Sequence, residues 1–240
     1  MFYLRTHSKT ILPAFAILCF ATAAPAQIVS LCNTGQTLAT LAGCTGDLVT
    51  PNPPGGGPNR DGNWQLAYPY PSTLTTTHAP CLLRAFVRPW VDTPNASWLP
   101  DSVSTASEWT TPFDGENNLP VGTYVYRTTF QVPSVLPGGG VPTGVTINGQ
   151  LASDNATFAI YLESPANTAE CSLVTGQSFP VNPAGHGAGD FERWWDFSFT
   201  NSLPITPGAA AFLYFVVQNP LSGASPTGLR VEFFPTSTFF

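Results

Sequence analysis

Residues 122–132 read GTYVYRTTFQV, and their pattern decides the fold. Tyr124, Tyr126, Thr128, Phe130 and Val132 recur at every second position, while Arg127, Thr129 and Gln131 share the other side with Val125. Successive side chains of a strand point to opposite faces, so this period of two predicts a half-buried β-strand with Tyr124, Tyr126 and Phe130 facing inward. Outward from it, GVTINGQLASDNATFAIYL (144–162), WWDFSFTN (194–201), AAFLYFVVQN (210–219) and TGLRVEFF (227–234) are equally rich in β-branched and aromatic residues. Gly, Pro, Asn and Ser fill the gaps between them. Short strands punctuated in this way predict an all-β antiparallel sandwich.

The individual runs carry further expectations. FLYFVV (212–217) is apolar on both faces, which predicts a central strand covered on both sides or lying under a loop. Leu229, Val231 and Phe233 alternate with Arg230 and Glu232, so the first three are expected inward and the two charged residues outward. QIVSLCNT (27–34) reads as a first strand, followed by strand candidates in NWQLAYPY (63–70) and LLRAFVRPW (82–90). Neither a fixed-period repeat nor a long helical pattern is present.

The beginning of the chain sets the compartment. Arg5, His7 and Lys9 precede the apolar run Ile11–Ala21, and Ala24-Pro25-Ala26 supplies small residues for cleavage before Gln27. This predicts a secretory signal peptide over 1–26 and a single sandwich domain over 27–240. The apolar run is too short to span a bilayer, and no membrane span is expected. With Arg5 and Lys9 removed, six arginines and no lysine remain against fourteen acidic residues, a net charge of −8. Such a chain repels phosphate backbones, so nucleic acid is excluded as a partner, and without lysine there is no Schiff-base chemistry. Four cysteines remain: Cys32, Cys44, Cys81 and Cys171. An even count in an exported chain predicts disulfides, and of the three pairings Cys32–Cys44 with Cys81–Cys171 is favoured because a short Gly-containing loop separates the first two.

The order SLCNTG (30–35), DGNW (61–64), LPVGTYVYRTTFQV (119–132), ASDNATFAI (152–160), FLYFVVQNP (212–220) and PTGLRVEF (226–233) resembles galactose-binding-like β-sandwich domains of exported bacterial proteins. The likeness is strongest to domains in proteins that bear a PEP-CTERM sorting tail. It implies a jelly-roll sandwich with a secreted or cell-surface location, and it implies no catalytic residue. Two features depart from the pattern. Leu162-Glu163-Ser164 and an insertion containing Cys171 stand where relatives have an Asn-Gly turn, and no sorting tail is seen before Phe240, so retention by that route is not expected.

FERWWDFSFT (191–200) is the candidate ligand site. As a strand it would place Phe191, Trp195, Phe197 and Phe199 on one face, with Glu192, Trp194, Asp196 and Ser198 on the other. An indole beside carboxylates suits a sugar, because the ring stacks on the apolar face of a pyranose and the carboxylates accept hydroxyl hydrogens. The same run with Asp190 could be read as the carboxylate pair of a glycan hydrolase, but solvent-facing carboxylates lack the burial that raises an acid's pKa. No nucleophile signature accompanies the isolated His78 and His186, and neither they nor the cysteines have zinc-site spacing, so no catalytic residue, metal ligand or cofactor is assigned. Asp114-Gly115-Glu116-Asn117-Asn118 is rich in oxygen ligands and reads either as a turn or as a structural calcium loop. The expectation is therefore a non-enzymatic module that binds glycans. The alternatives are a structural envelope component that contacts surface proteins, and a glycan hydrolase.

Overall fold

The computed structural model describes residues 25–28, 30–36, 43–44, 48–50, 59–70, 85–94, 96–113, 119–163, 172–173, 191–201, 205–219 and 226–240. Residues 1–24, Cys81, Cys171, Asp190 and the 114–118 loop lie outside these, and so do the expectations that rest on them. The described strands are β1 (Ala26–Gln27), β2 (Trp64–Tyr70), β3 (Trp90–Asp92), β4 (Trp109–Thr111), β5 (Gly122–Gln131) and β6 (Val145–Asp154). They continue with β7 (Ala156–Glu163), β8 (Ser172–Leu173), β9 (Trp195–Asn201), β10 (Ala210–Asn219), β11 (Gly228–Phe233) and β12 (Thr238–Phe239). The described helical structure is a 3-10 turn at Asp101–Val103, and no described helix is long and apolar enough to cross a membrane.

Two antiparallel sheets result. One has the order β1-β12-β6-β11-β4-β3 with β9 pairing β6, and the other runs β2-β5-β10-β7-β8. Period-two patterning explains how they pack. Tyr124, Tyr126 and Phe130 of β5 and Leu213, Phe215 and Val217 of β10 meet Ile147, Leu151, Phe197, Phe199, Leu229 and Val231 of the facing sheet in one buried cluster. Each such side chain contributes about 1.5–3 kcal/mol on burial, before the entropy of ordering the chain is set against it. Phe197 inserts edge-on to Phe215, with ring centroids 5.7 Å apart. Gly149 makes room for this insertion, since a Cβ there would lie 2.6 Å from Phe197 Cζ and 2.4 Å from the Glu232 carbonyl oxygen.

The all-β sandwich read from the sequence is the observed architecture. β10 lies between β5 and β7, and its outer-face residues Tyr214 and Val216 are buried with Ala67, Val125 and Ala159. The predicted Cys32–Cys44 disulfide is formed. The first strand differs from expectation: pairing stops at Gln27, where β1 meets β12, and residues 30–36 leave the ladder. Side chains work there beside a backbone bond, in which Thr34 N donates to the Val231 carbonyl at 3.1 Å. Asn33 Oδ1 accepts from Phe233 N at 2.7 Å and Thr34 Oγ1 accepts from Val231 N at 3.0 Å, so polar side chains finish the edge of β11. Buried Asp61 then ties this segment to β2, accepting from Gly35 N (2.6 Å), Asn63 N (2.8 Å) and Trp64 N (3.1 Å).

Candidate functional site

The outer face of β9, β6 and β11 is built as a ladder. Asp196, Ser198 and Thr200 of β9 are exposed, while Phe197 and Phe199 between them are buried, as alternation requires. Register sets Asp196 opposite Gln150, Ser198 opposite Asn148 and Thr200 opposite Thr146, and Gln150 in turn opposite Glu232 of β11. Cross-strand bonds fix these side chains. Ser198 Oγ lies 2.6 Å from Asn148 Oδ1, Gln150 Nε2 donates to Glu232 Oε2 at 2.7 Å, and the hydroxyls of Thr146 and Thr200 are 3.0 Å apart. Among the described residues no hydrogen bond occupies the carboxylate of Asp196 or of Glu192.

The three candidate ligand residues are placed differently from one another. β9 begins only at Trp195, so Glu192 sits exposed on a bend rather than on the strand. The break has a cause: the Phe191 carbonyl is taken by Leu99 N at 2.7 Å, which draws 191–193 toward the 97–108 segment and away from β6. Trp194 does not stand free among polar groups as expected. It is half-buried and packs with Phe191 against buried Trp98, Leu99, Trp109 and Ala152. The cluster is locked by its polar edges. Trp98 and Trp109 pack tilted at 36° with centroids 4.4 Å apart, Trp98 Nε1 donates to Asp154 Oδ2 at 2.7 Å, and Trp109 Nε1 donates to the Leu99 carbonyl at 2.9 Å. One side of the indole is thus committed to the protein, and packing fixes its position.

Arg230 is the residue near this face whose surroundings the sequence did not reveal. Expected outward in solvent, it is fully buried beneath the 98–108 segment, and Glu232 is buried beside it. Its guanidinium donates to Ser107 Oγ (2.9 Å) and to the carbonyls of Ser107 (2.7 Å), Ser104 (3.1 Å), Pro100 (3.3 Å) and Leu99 (3.4 Å). It also pairs with Asp101 Oδ1 at 3.6 Å, and the Trp194 ring centroid lies 5.3 Å from its Cζ. Ser107 Oγ passes the chain on to Glu232 Oε1 at 2.8 Å. A planar five-donor group suits this role, collecting carbonyls that would otherwise be orphaned under the loop. Arg230 therefore holds the loop that holds Trp194. The chain is sparing with charge, at 9% of residues, and that is the signal that could have marked Arg230 as more than a solubilising side chain.

Burial also shapes the titration of the neighbouring carboxyls. Desolvation raises Asp154 to about 7, against the opposing bond from Trp98. Glu108 is raised to about 8 by burial and by the neighbouring Asp101 carboxylate, with Arg230 opposing. Asp61 is raised to about 7 by burial, against its three backbone donors and the charge of Arg88. In the folded state these groups keep protons that the unfolded chain has already released above pH ~4. Stability therefore falls as pH rises from about 4 through 7–8. Thermal melts are expected to give a midpoint several degrees higher at pH 5 than at pH 8, and Asp154→Asn is expected to flatten the slope. A midpoint that climbs steadily from pH 5 to 8 would contradict these assignments.

The half-buried Trp194 ring stands just before β9, two residues from exposed Asp196, and the cross-strand row of Asn148, Gln150, Ser198 and Thr200 side chains follows it. No family model matches the chain, and neither a curated protein nor a solved structure matches it.

Proposed function

We propose that this protein is a secreted or cell-surface, non-catalytic β-sandwich module that binds carbohydrate on the outer face of β9 and β6. Trp194, Glu192 and Asp196 are its ligand residues. The observation that carries the reading is the pairing of a preorganised indole with carboxylates that no described residue occupies. Rigid ring placement lowers the entropy cost of stacking, and open acceptors meet sugar hydroxyls. The Cys32–Cys44 disulfide supports an oxidising compartment, and the resemblance to galactose-binding-like jelly rolls of exported proteins supports the same location and class. A glycan array followed by calorimetry tests it. Trp194→Ala is expected to weaken binding to the best array ligand at least tenfold, and Asp196→Asn several-fold. Unchanged affinity in both variants rejects the site.

A structural envelope component is the second reading. It draws on the turn between β5 and β6, where Val135 and Val141 are each 57% exposed. Two valines make a small patch, well short of a stable interface, and the carbohydrate reading stands first.

A further inference from the structure

The opposite side of the molecule carries a second arrangement of rings and polar groups, on the outer face of the β2-β5-β10-β7 sheet. Register aligns Gln65, Arg127, Tyr214 and Tyr161 in one rung across four strands, with Phe212 opposite Glu163 in the next. Arg127 is clamped as a flat group: its Cζ lies 3.7 Å from the Phe86 ring centroid and 5.1 Å from that of Phe212, while its Nε donates to Gln65 Oε1 at 2.6 Å. The Tyr214 hydroxyl donates to Glu163 Oε2. Tyr214 is buried, but Phe212, Tyr161, Arg127, Gln65 and Glu163 all keep partial exposure.

Unused hydrogen-bonding capacity distinguishes this patch from ordinary outer-face packing. Among the described residues, Glu163 Oε1, the Tyr161 hydroxyl and the Gln65 Nε2 amide have no hydrogen-bond partner. They are an acceptor, a donor-acceptor and a donor, ranged around two partly exposed rings. With strands about 4.8 Å apart, the rung covers roughly 14 Å, a span that matches about two to three pyranose rings. Charge narrows the class. One guanidinium and one carboxylate balance locally, and the chain as a whole is at −6, so an acidic glycan gains nothing here and meets repulsion at Glu163.

We infer that this face is a second ligand site, which takes a short neutral oligosaccharide lying across the strands. Phe212 and Tyr161 stack on it, and Glu163, Gln65 and Arg127 bond its hydroxyls. The site does not depend on Trp194, and two separate sugar-binding faces would make the module bivalent.

The test uses the full chain carrying Trp194→Ala, so that the other face is silenced. The probes are linear β-1,4 tetrasaccharides of glucose, mannose and galactose, with tetragalacturonate as the acidic comparison. Nuclear magnetic resonance follows the Arg127 Nε–H and the Gln65 side-chain amide during titration. At least one neutral probe is expected to shift both signals saturably, and adding Phe212→Ala is expected to weaken that binding about tenfold. Glu163→Gln, which keeps the shape of the patch, should weaken it several-fold and provides the answer if Phe212→Ala does not fold. Unmoved signals with all three neutral probes at millimolar concentration overturn the site, as does affinity unaffected by Glu163→Gln. Equal binding of tetragalacturonate overturns the neutral class. Loss of Trp194-dependent binding in the parent chain, with these shifts retained, would sink only the first face.

Discussion

Arg230→Ala is expected to destabilise the protein by about 3–5 kcal/mol, the cost of breaking a buried charge network by removing one partner. The guanidinium is fully buried and supplies five hydrogen bonds, four of them to carbonyls of the 99–107 segment. Alanine would leave those carbonyls unpaired and would take the nearest cation from Asp101 and from buried Glu232. Arg230→Lys is expected to restore less than half of the loss, because an ammonium has three donors and cannot reproduce the planar fork. For a chain of this size the alanine variant should melt roughly 10 °C lower. Urea unfolding at pH 7 measures the difference, and a loss under ~1 kcal/mol would show that the loop does not depend on this residue. The variant also loosens the proposed ligand residue Trp194, since the segment that Arg230 secures contains Trp98 and Leu99, against which Trp194 is packed.

Removing the Cys32–Cys44 disulfide by the double change Cys32→Ser, Cys44→Ser is expected to cost about 3 kcal/mol. The bridge closes a loop with a sequence separation of 12, and loop-closure entropy at that length gives this magnitude. The structural consequence extends past the loop. Segment 30–36 finishes the edge of β11 through Asn33 and Thr34 and holds Trp64 through the Cys32 carbonyl, which accepts from Trp64 Nε1 at 3.1 Å. Freed from its bridge, the segment pays more chain entropy to keep those contacts. A midpoint drop near 8 °C is expected in thermal melts of the double variant. A shift below ~2 °C would mean that the contacts of 30–36 hold without the covalent tie.

The strands were legible because each writes its burial in a period of two. β5, β9 and β11 turn the expected residues inward, and β10, read as apolar on both faces, contributes to a buried cluster on each side. What alternation leaves open is the material that covers the outer face. Arg230 and Glu232 occupy outward positions as read, yet the segment that buries them comes from more than 120 residues earlier in the chain. Trp194 was displaced for the same reason, since its neighbours Trp98 and Trp109 are remote in sequence and no local pattern announces them. The break at Phe191 depends on one backbone bond to Leu99, so strand and bend read alike over 191–194. Segment 27–34 shows a different limit: its β-branched and apolar residues suit a strand, but Asn33 and Thr34 bond through their side chains. On the other sheet, the rung of Gln65, Arg127, Tyr214 and Tyr161 exists only through register, which separates these residues widely along the chain.

The central claim is that a fixed indole on the β9 face receives a sugar. A crystal structure of the full chain with the strongest ligand from the glycan array tests it most directly. The account predicts a pyranose ring stacked on Trp194, with one of its hydroxyls within hydrogen-bond distance of Asp196 or Glu192. A bound glycan that touches neither this face nor these residues, with the Trp194 ring covered by the protein itself, would contradict it.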